Sequence, residues 1–171
     1  MEIRALREGD ERSRFRSGDR DLDRFFHQYA GQNQFRHYLG VTYIATEGPD
    51  LLGFATVSPG QIEGSDLPAG VRKRPPGYPL PVLRLGRLAV DELAQERGLG
   101  DRLLRFVLGL AVRMAGDYGC IGVVVDAKPD ATEFYARYGF IPMDAVEGRS
   151  AARPQPAPMF LSLRAIKRSR L

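Results

Sequence analysis

The chain of 171 residues is 43% hydrophobic and 27% charged with a net charge of +4, an ordinary composition with enough length to bury the core of one domain. No apolar run approaches the roughly 20 residues of a membrane span, and the opening MEIRALREGDERSRF is too charged for a secretion signal, so a cytoplasmic protein is expected. Cys120 is the only cysteine, which excludes an internal disulfide and a cysteine-based metal cluster; within GCIGVVVD it reads as a buried small hydrophobe and not a nucleophile.

EIRAL alternates as a first strand. In SGDRDLDRFFHQYAGQNQ, the residues Leu22, Phe25, Phe26 and Tyr29 recur at helical spacing behind acidic residues suited to a helix start, which predicts an amphipathic helix. GVTYIATEGPDLLGFATVSP predicts two short strands around a Gly-Pro-Asp turn, hence a hairpin. Residues 59–80 mix prolines and glycines of several turn types without periodicity and predict a long loop. PVLRLGRLAV predicts a buried strand, after which Leu99, Leu103, Val107, Leu110, Ala111 and Met114 mark one face of a helix ending near Gly116. CIGVVVDA predicts another strand, DATEFYARYGF a short helix closed by Gly139, and MFLSLRAI a last strand after the proline-rich ARPQPAP. The order β, α, ββ, β, α, β, α, β describes an α/β chain, a mixed sheet with helices on its faces, in one domain over residues 1–171 with a basic tail over 164–171.

The break between strand and helix in LGRLAVDELAQERGLGDRLLRF carries chemistry. Gly98 and Gly100 remove side chains where a helix begins, and there the backbone N–H groups lack intrahelical partners and the macrodipole is positive. Such a place suits an anion, a phosphate above all, with Glu96 and Asp101 the only carboxylates close in sequence. The alternative is a glycine-rich helix start that holds nothing. Charge is unevenly placed: Arg149, Arg153, Arg164, Lys167, Arg168 and Arg170 give residues 149–171 a local +6, and the rest of the chain sums to −2. A polyanion such as RNA would explain this, as would a basic tail kept for solubility. Further bases stand at Arg72, Lys73, Arg74, Arg84 and Arg87, while Arg12, Arg14, Arg16, Arg20 and Arg24 are blunted by interleaved acids. By strand alternation Arg87 either faces a substrate cleft or pairs internally. No metal site is expected, since His27 and His37 with no cysteine pair make no recognised ligand set.

QERGLG, with Gln95, Gly98 and Gly100, and ATEFYARYGF, with Ala131, Tyr135, Gly139 and Phe140, resemble in order and placement the Q/R-x-x-G-x-G/A and A-x-x-x-Y-x-x-x-GF motifs of the GNAT family of N-acetyltransferases. Within that family LGRLAVD, VVVDA, EFYARYGF and the early LDRFFHQYAGQNQ look like the acetyltransferase toxins of bacterial toxin–antitoxin pairs. Those toxins acetylate the α-amino group of aminoacyl-tRNA and are partnered by a ribbon-helix-helix antitoxin. Lys128 stands where many ordinary members carry an asparagine, a departure shared with the toxin-like members.

The resemblance implies a GNAT fold, a mixed and largely antiparallel sheet splayed at the cofactor site with helices on both faces. It implies acetyl-CoA, its pyrophosphate on the backbone around Gln95, Glu96, Arg97, Gly98, Leu99, Gly100, Asp101 and Arg102 and its pantetheine arm beside Leu88, Ala89 and Val90. Asp126, Ala131 and Phe134 join that cofactor site. Tyr135 falls at the family's general-acid position; an aromatic packed under the cofactor is the other role open to it, as Phe134 beside it suggests. A homodimer is implied as well. RNA contacts are expected from Arg72, Lys73, Arg74, Arg87, Arg164, Lys167, Arg168 and Arg170. Glu133, His27 and His37 are the candidates for a general base, and none stands out. An α-amine of pKa roughly 7.7 to 8.0 needs a base less than a lysine at about 10.4, which favours an α-amine acceptor. Three functions remain open: a toxin-type acetyltransferase, a housekeeping acetyltransferase for a small amine or a protein N-terminus, and an inactive acetyl-CoA-binding module, against which Tyr135 in register speaks.

Overall fold

A computed structural model describes residues 1–71, 77–143 and 157–169. Its strands are β1 (Glu2–Ala5), β2 (Val41–Glu47), β3 (Asp50–Ile62), β4 (Leu80–Val90), β5 (Gly122–Ala127), β6 (Ile141–Pro142) and β7 (Ala157–Ser162), in the sheet order β1-β2-β3-β4-β5-β7-β6. The helices are α1 (Arg20–Arg24), α2 (Ala30–Phe35), α3 (Leu99–Asp117), α4 (Thr132–Arg137) and α5 (Leu163–Arg168), with a π turn at Phe25–Tyr29 between the first two. The chain divides into two compact units, residues 1–58 with 85–107 and residues 59–84 with 108–171. Among the described residues no helix is long and apolar enough to cross a membrane.

In the first unit β1 and β2 pair antiparallel from Glu2↔Thr46 to Ala5↔Tyr43, and β2 turns through Gly48, at φ +59°, into β3. The expected hairpin is present. Bidentate bonds of 2.8 and 2.9 Å from Arg4 to Asp10, with the Arg7 N–H on the same carboxylate at 2.7 Å, close the loop after β1 and hold the Asp10 carboxyl below its ordinary pKa. Asp19 caps α1 by accepting from the N–H groups of Asp21 and Leu22. The core gathers Leu6, Phe15, Phe25, Phe26, Ile44, Phe54 and Ala89; Phe26 stacks on Phe54 at 4.3 Å, and Phe15 meets both edge-on. The single helix read over this stretch is corrected by the π turn, in which the Ala30 N–H donates back to Phe25 O. The wider turn shifts the inward face by one residue: Ala30 is buried and Tyr29, expected inside, is 42% exposed.

In the second unit β5 pairs antiparallel with β7 from Gly122↔Ser162 to Ala127↔Ala157, and β6 adds to the far edge of β7 through Ile141↔Phe160. A side chain at Gly122 would strike the Leu161 carbonyl and the Phe160 ring, so glycine is required for this close approach. Ile62, Leu67, Leu80, Val82, Val124, Met143 and Phe160 form its core. Cys120 is buried just ahead of β5, its Sγ–H donating to Gly122 O at 3.2 Å, and burial pushes its thiol pKa up. The loop read over 59–80 is corrected in part, since Pro59–Ile62 continue β3 and Gly64–Asp66 form a 3₁₀ turn.

The last strand read through Ile166 ends at Ser162, and the supposed basic tail begins as a helix. Ser162 caps α5 by accepting from the Ala165 N–H at 3.1 Å, and Ile166, 1% exposed, anchors it. On α3 the inward stripe also takes in Leu104 and Leu108, while Leu110 is only partly buried.

Candidate active site

β4 ends at Val90 and hands over to a built turn. Asp91 accepts from the Leu93 N–H at 2.9 Å and from the Arg16 N–H at 3.0 Å. The Gln95 carboxamide donates to Val90 O at 3.1 Å and Ser17 O at 3.0 Å, so this side chain braces the loop from within. Glu96 then takes φ +66° and Gly98 φ +75°. Left-handed residues alternating with others aim successive N–H groups to one side, the geometry of a backbone anion nest. The Arg102 N–H bonds back to Gly98 O at 3.2 Å and starts the helical ladder, which leaves the N–H groups of Leu99 and Gly100 with no acceptor inside α3.

A Cβ placed on Gly98 would meet nothing within 4 Å. The glycine is therefore held by its backbone angle and not by packing, and the space before it is open. Donors, dipole and open space together fit a pyrophosphate. Arg97 sits 3.3 Å from Glu47, both about half exposed, and Arg102 donates to Met1 Sδ at 3.7 Å.

On β4, Ala89 is buried and its carbonyl passes so close to Gly53 that a Cβ there would lie 3.0 Å away; Leu88 and Val90 are partly buried. Arg87 forms no ion pair among the described residues and stacks on an aromatic ring instead. The guanidinium lies 3.7 Å above the Phe25 ring, and desolvation there pushes its pKa down although much of the side chain stays exposed. Phe25 as this platform has no signal in the sequence, since no local pattern links the two positions.

In the second unit α4 follows β5 through a 3₁₀ turn, Pro129–Ala131, closed by the Ala131 N–H on Lys128 O at 2.8 Å. Tyr135 is 5% exposed, with its ring 5.1 Å from Phe134 and 5.5 Å from Phe140 in edge-to-face contacts. Gly139, at φ +96°, closes the helix and lets Phe140 return under it. Burial pushes the Tyr135 phenol far above its ordinary pKa, so the hydroxyl keeps its proton at neutral pH. The Asp126 carboxylate is 3.1 Å from Arg84, both partly exposed.

The base candidates are either hydrogen-bonded to their own surroundings or exposed. His27 Nε2 lies 2.8 Å from Phe15 O and 3.2 Å from Arg16, a bracing role, and Glu133 and His37 are exposed. Arg164, Lys167 and Arg168 are exposed on α5, whereas Arg72, Lys73, Arg74 and Arg170 lie outside the described residues. Among the described residues no three His, Cys, Asp or Glu side chains are grouped to hold a metal.

The family model of an acetyltransferase (GNAT) domain matches residues 39–142, a span that takes in both the QERGLG loop and Tyr135. The chain is a GNAT acetyltransferase. This acetyltransferase is 34% identical to the tRNA-acetylating toxin of Mycobacterium tuberculosis, over 80% of the present chain and 82% of the relative. AtaT complexed with acetyl-methionyl-tRNAfMet shares its fold at a TM-score of 0.83 and 24% identity, over 99% of each chain. So does a mutant of the AtaT toxin bound to the C-terminus of the antitoxin AtaR and acetyl-CoA, at 0.77 and 22%, over 98% of the GNAT chain and 96% of the other.

Proposed function

We propose that this GNAT chain is a toxin-type enzyme that moves the acetyl group of acetyl-CoA onto the α-amino group of aminoacyl-tRNA and so blocks translation. One observation carries the substrate: identity to a tRNA-acetylating toxin runs along four-fifths of both chains, well beyond the two motifs that any family member needs. Acetyl-CoA supplies an activated thioester. Its pyrophosphate is assigned to the nest from Glu96 to Gly100 at the start of α3, and its pantetheine arm to the backbone of Leu88, Ala89 and Val90.

Transfer forms an amide bond to the acceptor nitrogen and breaks the carbon–sulfur bond, leaving a thiolate. Tyr135 gives that thiolate its proton and regains one, through solvent, from the proton that the acceptor nitrogen releases as the amide forms. Burial makes the phenol a weaker acid than free tyrosine, but the same dry surroundings raise the proton affinity of the thiolate as well. The α-amine of an aminoacyl ester is substantially neutral near pH 7, which suits a chain in which no residue stands out as a general base. The remaining features belong to the same proposal: one catalytic domain over the whole chain, a homodimer, a ribbon-helix-helix antitoxin, and a cytoplasmic place of action.

The test incubates the protein with labelled acetyl-CoA and total charged tRNA, with free amino acids and polyamines in parallel. Label on the tRNA, released with the amino acid on deacylation, is the expected result. Label in the free amines and none in the tRNA overturns the toxin reading and leaves a small-amine acetyltransferase.

A further inference from the structure

Within the first unit a cavity of about 460 Å³ opens between the loop after β1 and the exposed side of α2, lined by Arg7, Glu8, Arg12, Gln32, Phe35 and Arg36. Among the described residues none of its three arginines forms an ion pair. Arg12 is fixed, its guanidinium donating to Phe26 O at 3.0 Å and lying where a side chain at position 31 would stand, since a Cβ on Gly31 would come within 2.9 Å of it. Gly31 thus makes room for a positive charge in the wall of the cavity. Arg7 and Arg36 are exposed at its rim, and Phe35, partly buried, gives it an aromatic face.

Three cations around one carboxylate favour an anion. An acidic peptide would be repelled by Glu8 and would leave the Phe35 ring unused. A ribonucleotide uses every group: its phosphate meets Arg7, Arg12 and Arg36, its base stacks on Phe35, the Gln32 carboxamide offers both a donor and an acceptor to the base edge, and Glu8 accepts from a ribose hydroxyl or a base amino group. The volume lies within the range of single-ligand pockets.

We infer that this cavity is a nucleotide-binding subsite that grips one unpaired nucleotide of the tRNA through its phosphate and base. The inference rests on the aminoacyl-tRNA reading and adds to it the residues that hold the RNA. None of the cavity's lining residues belongs to the acetyl-CoA loop or to α4, so the loss is expected in RNA binding.

The experiment measures KM for charged tRNA over a salt series, acetyl-CoA affinity and melting temperature for the wild type, for Arg7→Ala with Arg36→Ala, and for Phe35→Leu. The subsite predicts that the double variant raises KM roughly tenfold and flattens the salt slope by the loss of one or two phosphate contacts. Phe35→Leu raises KM with the slope kept. Acetyl-CoA affinity and melting temperature stay at wild-type values in the double variant, whose side chains are exposed. Wild-type transfer to tRNA with KM and slope unchanged in both variants overturns the subsite and leaves the function standing. No transfer to tRNA by the wild type overturns both. A double variant that keeps its KM for tRNA but loses binding of an acidic antitoxin-type peptide overturns the nucleotide assignment in favour of a protein partner.

Discussion

Gly98 combines a left-handed backbone angle with open space before it, so substitutions there separate strain from obstruction. Alanine carries the backbone cost alone, about 1 kcal/mol. Gly98→Glu adds a long carboxylate at the proposed pyrophosphate site, and it is expected to abolish the rise in melting temperature that acetyl-CoA gives the wild type. A variant that is stabilised as well as wild type would move the pyrophosphate elsewhere. Tyr135→Phe keeps the ring that packs on Phe134 and Phe140 and removes only the hydroxyl. Turnover is expected to fall roughly 100-fold with acetyl-CoA affinity unchanged, as for a removed general acid. The direction of the phenol's shift also fixes the shape of the pH profile. With its pKa raised, Tyr135 stays protonated past about pH 10 and contributes no falling limb below that point. The rising limb therefore belongs to the acceptor amine. For an α-amine, kcat/KM should rise as pH increases and level off near or below about pH 8, whereas a lysine acceptor would keep it climbing towards about 10.4.

Among the elements, α5 shows how a basic stretch can be structural and functional at once. Ile166→Ala is expected to cost about 2 to 4 kcal/mol in denaturant unfolding, because it empties a fully buried position. Replacing Arg164, Lys167 and Arg168 by glutamine should change stability by less than about 0.5 kcal/mol per position. If these bases touch RNA, that triple variant raises KM for charged tRNA. Truncation before the helix would confuse the two effects. The apolar residues of MFLSLRAI read as one strand, and they masked the serine cap that starts the helix. β6 has only two residues and no pattern to read. The π turn was illegible for a different reason: its phase is set by Phe25 and Phe26 meeting Phe54 and Ile44 across the core, contacts without a local signature. The turn into α3 was legible because glycines at a helix start are a local signal, and the short helix that carries Tyr135 because its motif closes on Gly139. The Arg87–Phe25 stack and the Gln95 bonds to Ser17 and Val90 join distant or folded-back segments, and the sequence held no means of pairing them.

At the scale of the whole molecule, charge separates the two proposed substrates. Displaced counterions make the affinity of any protein for RNA fall steeply with salt, while a backbone nest on one pyrophosphate depends on it far less. KM for charged tRNA is expected to rise strongly between about 50 and 200 mM salt, with acetyl-CoA affinity changing little. Weak salt dependence with the true acceptor would point to a small amine. Cys120 offers a different kind of access to the molecule. One thiol in 171 residues, shielded and held in its unreactive protonated form, will exchange with a coloured disulfide only in the moments when the entrance to β5 comes apart. The natural chain therefore carries its own stopwatch: the rate of colour release in unmodified protein times the breathing of that one strand, without any engineered label.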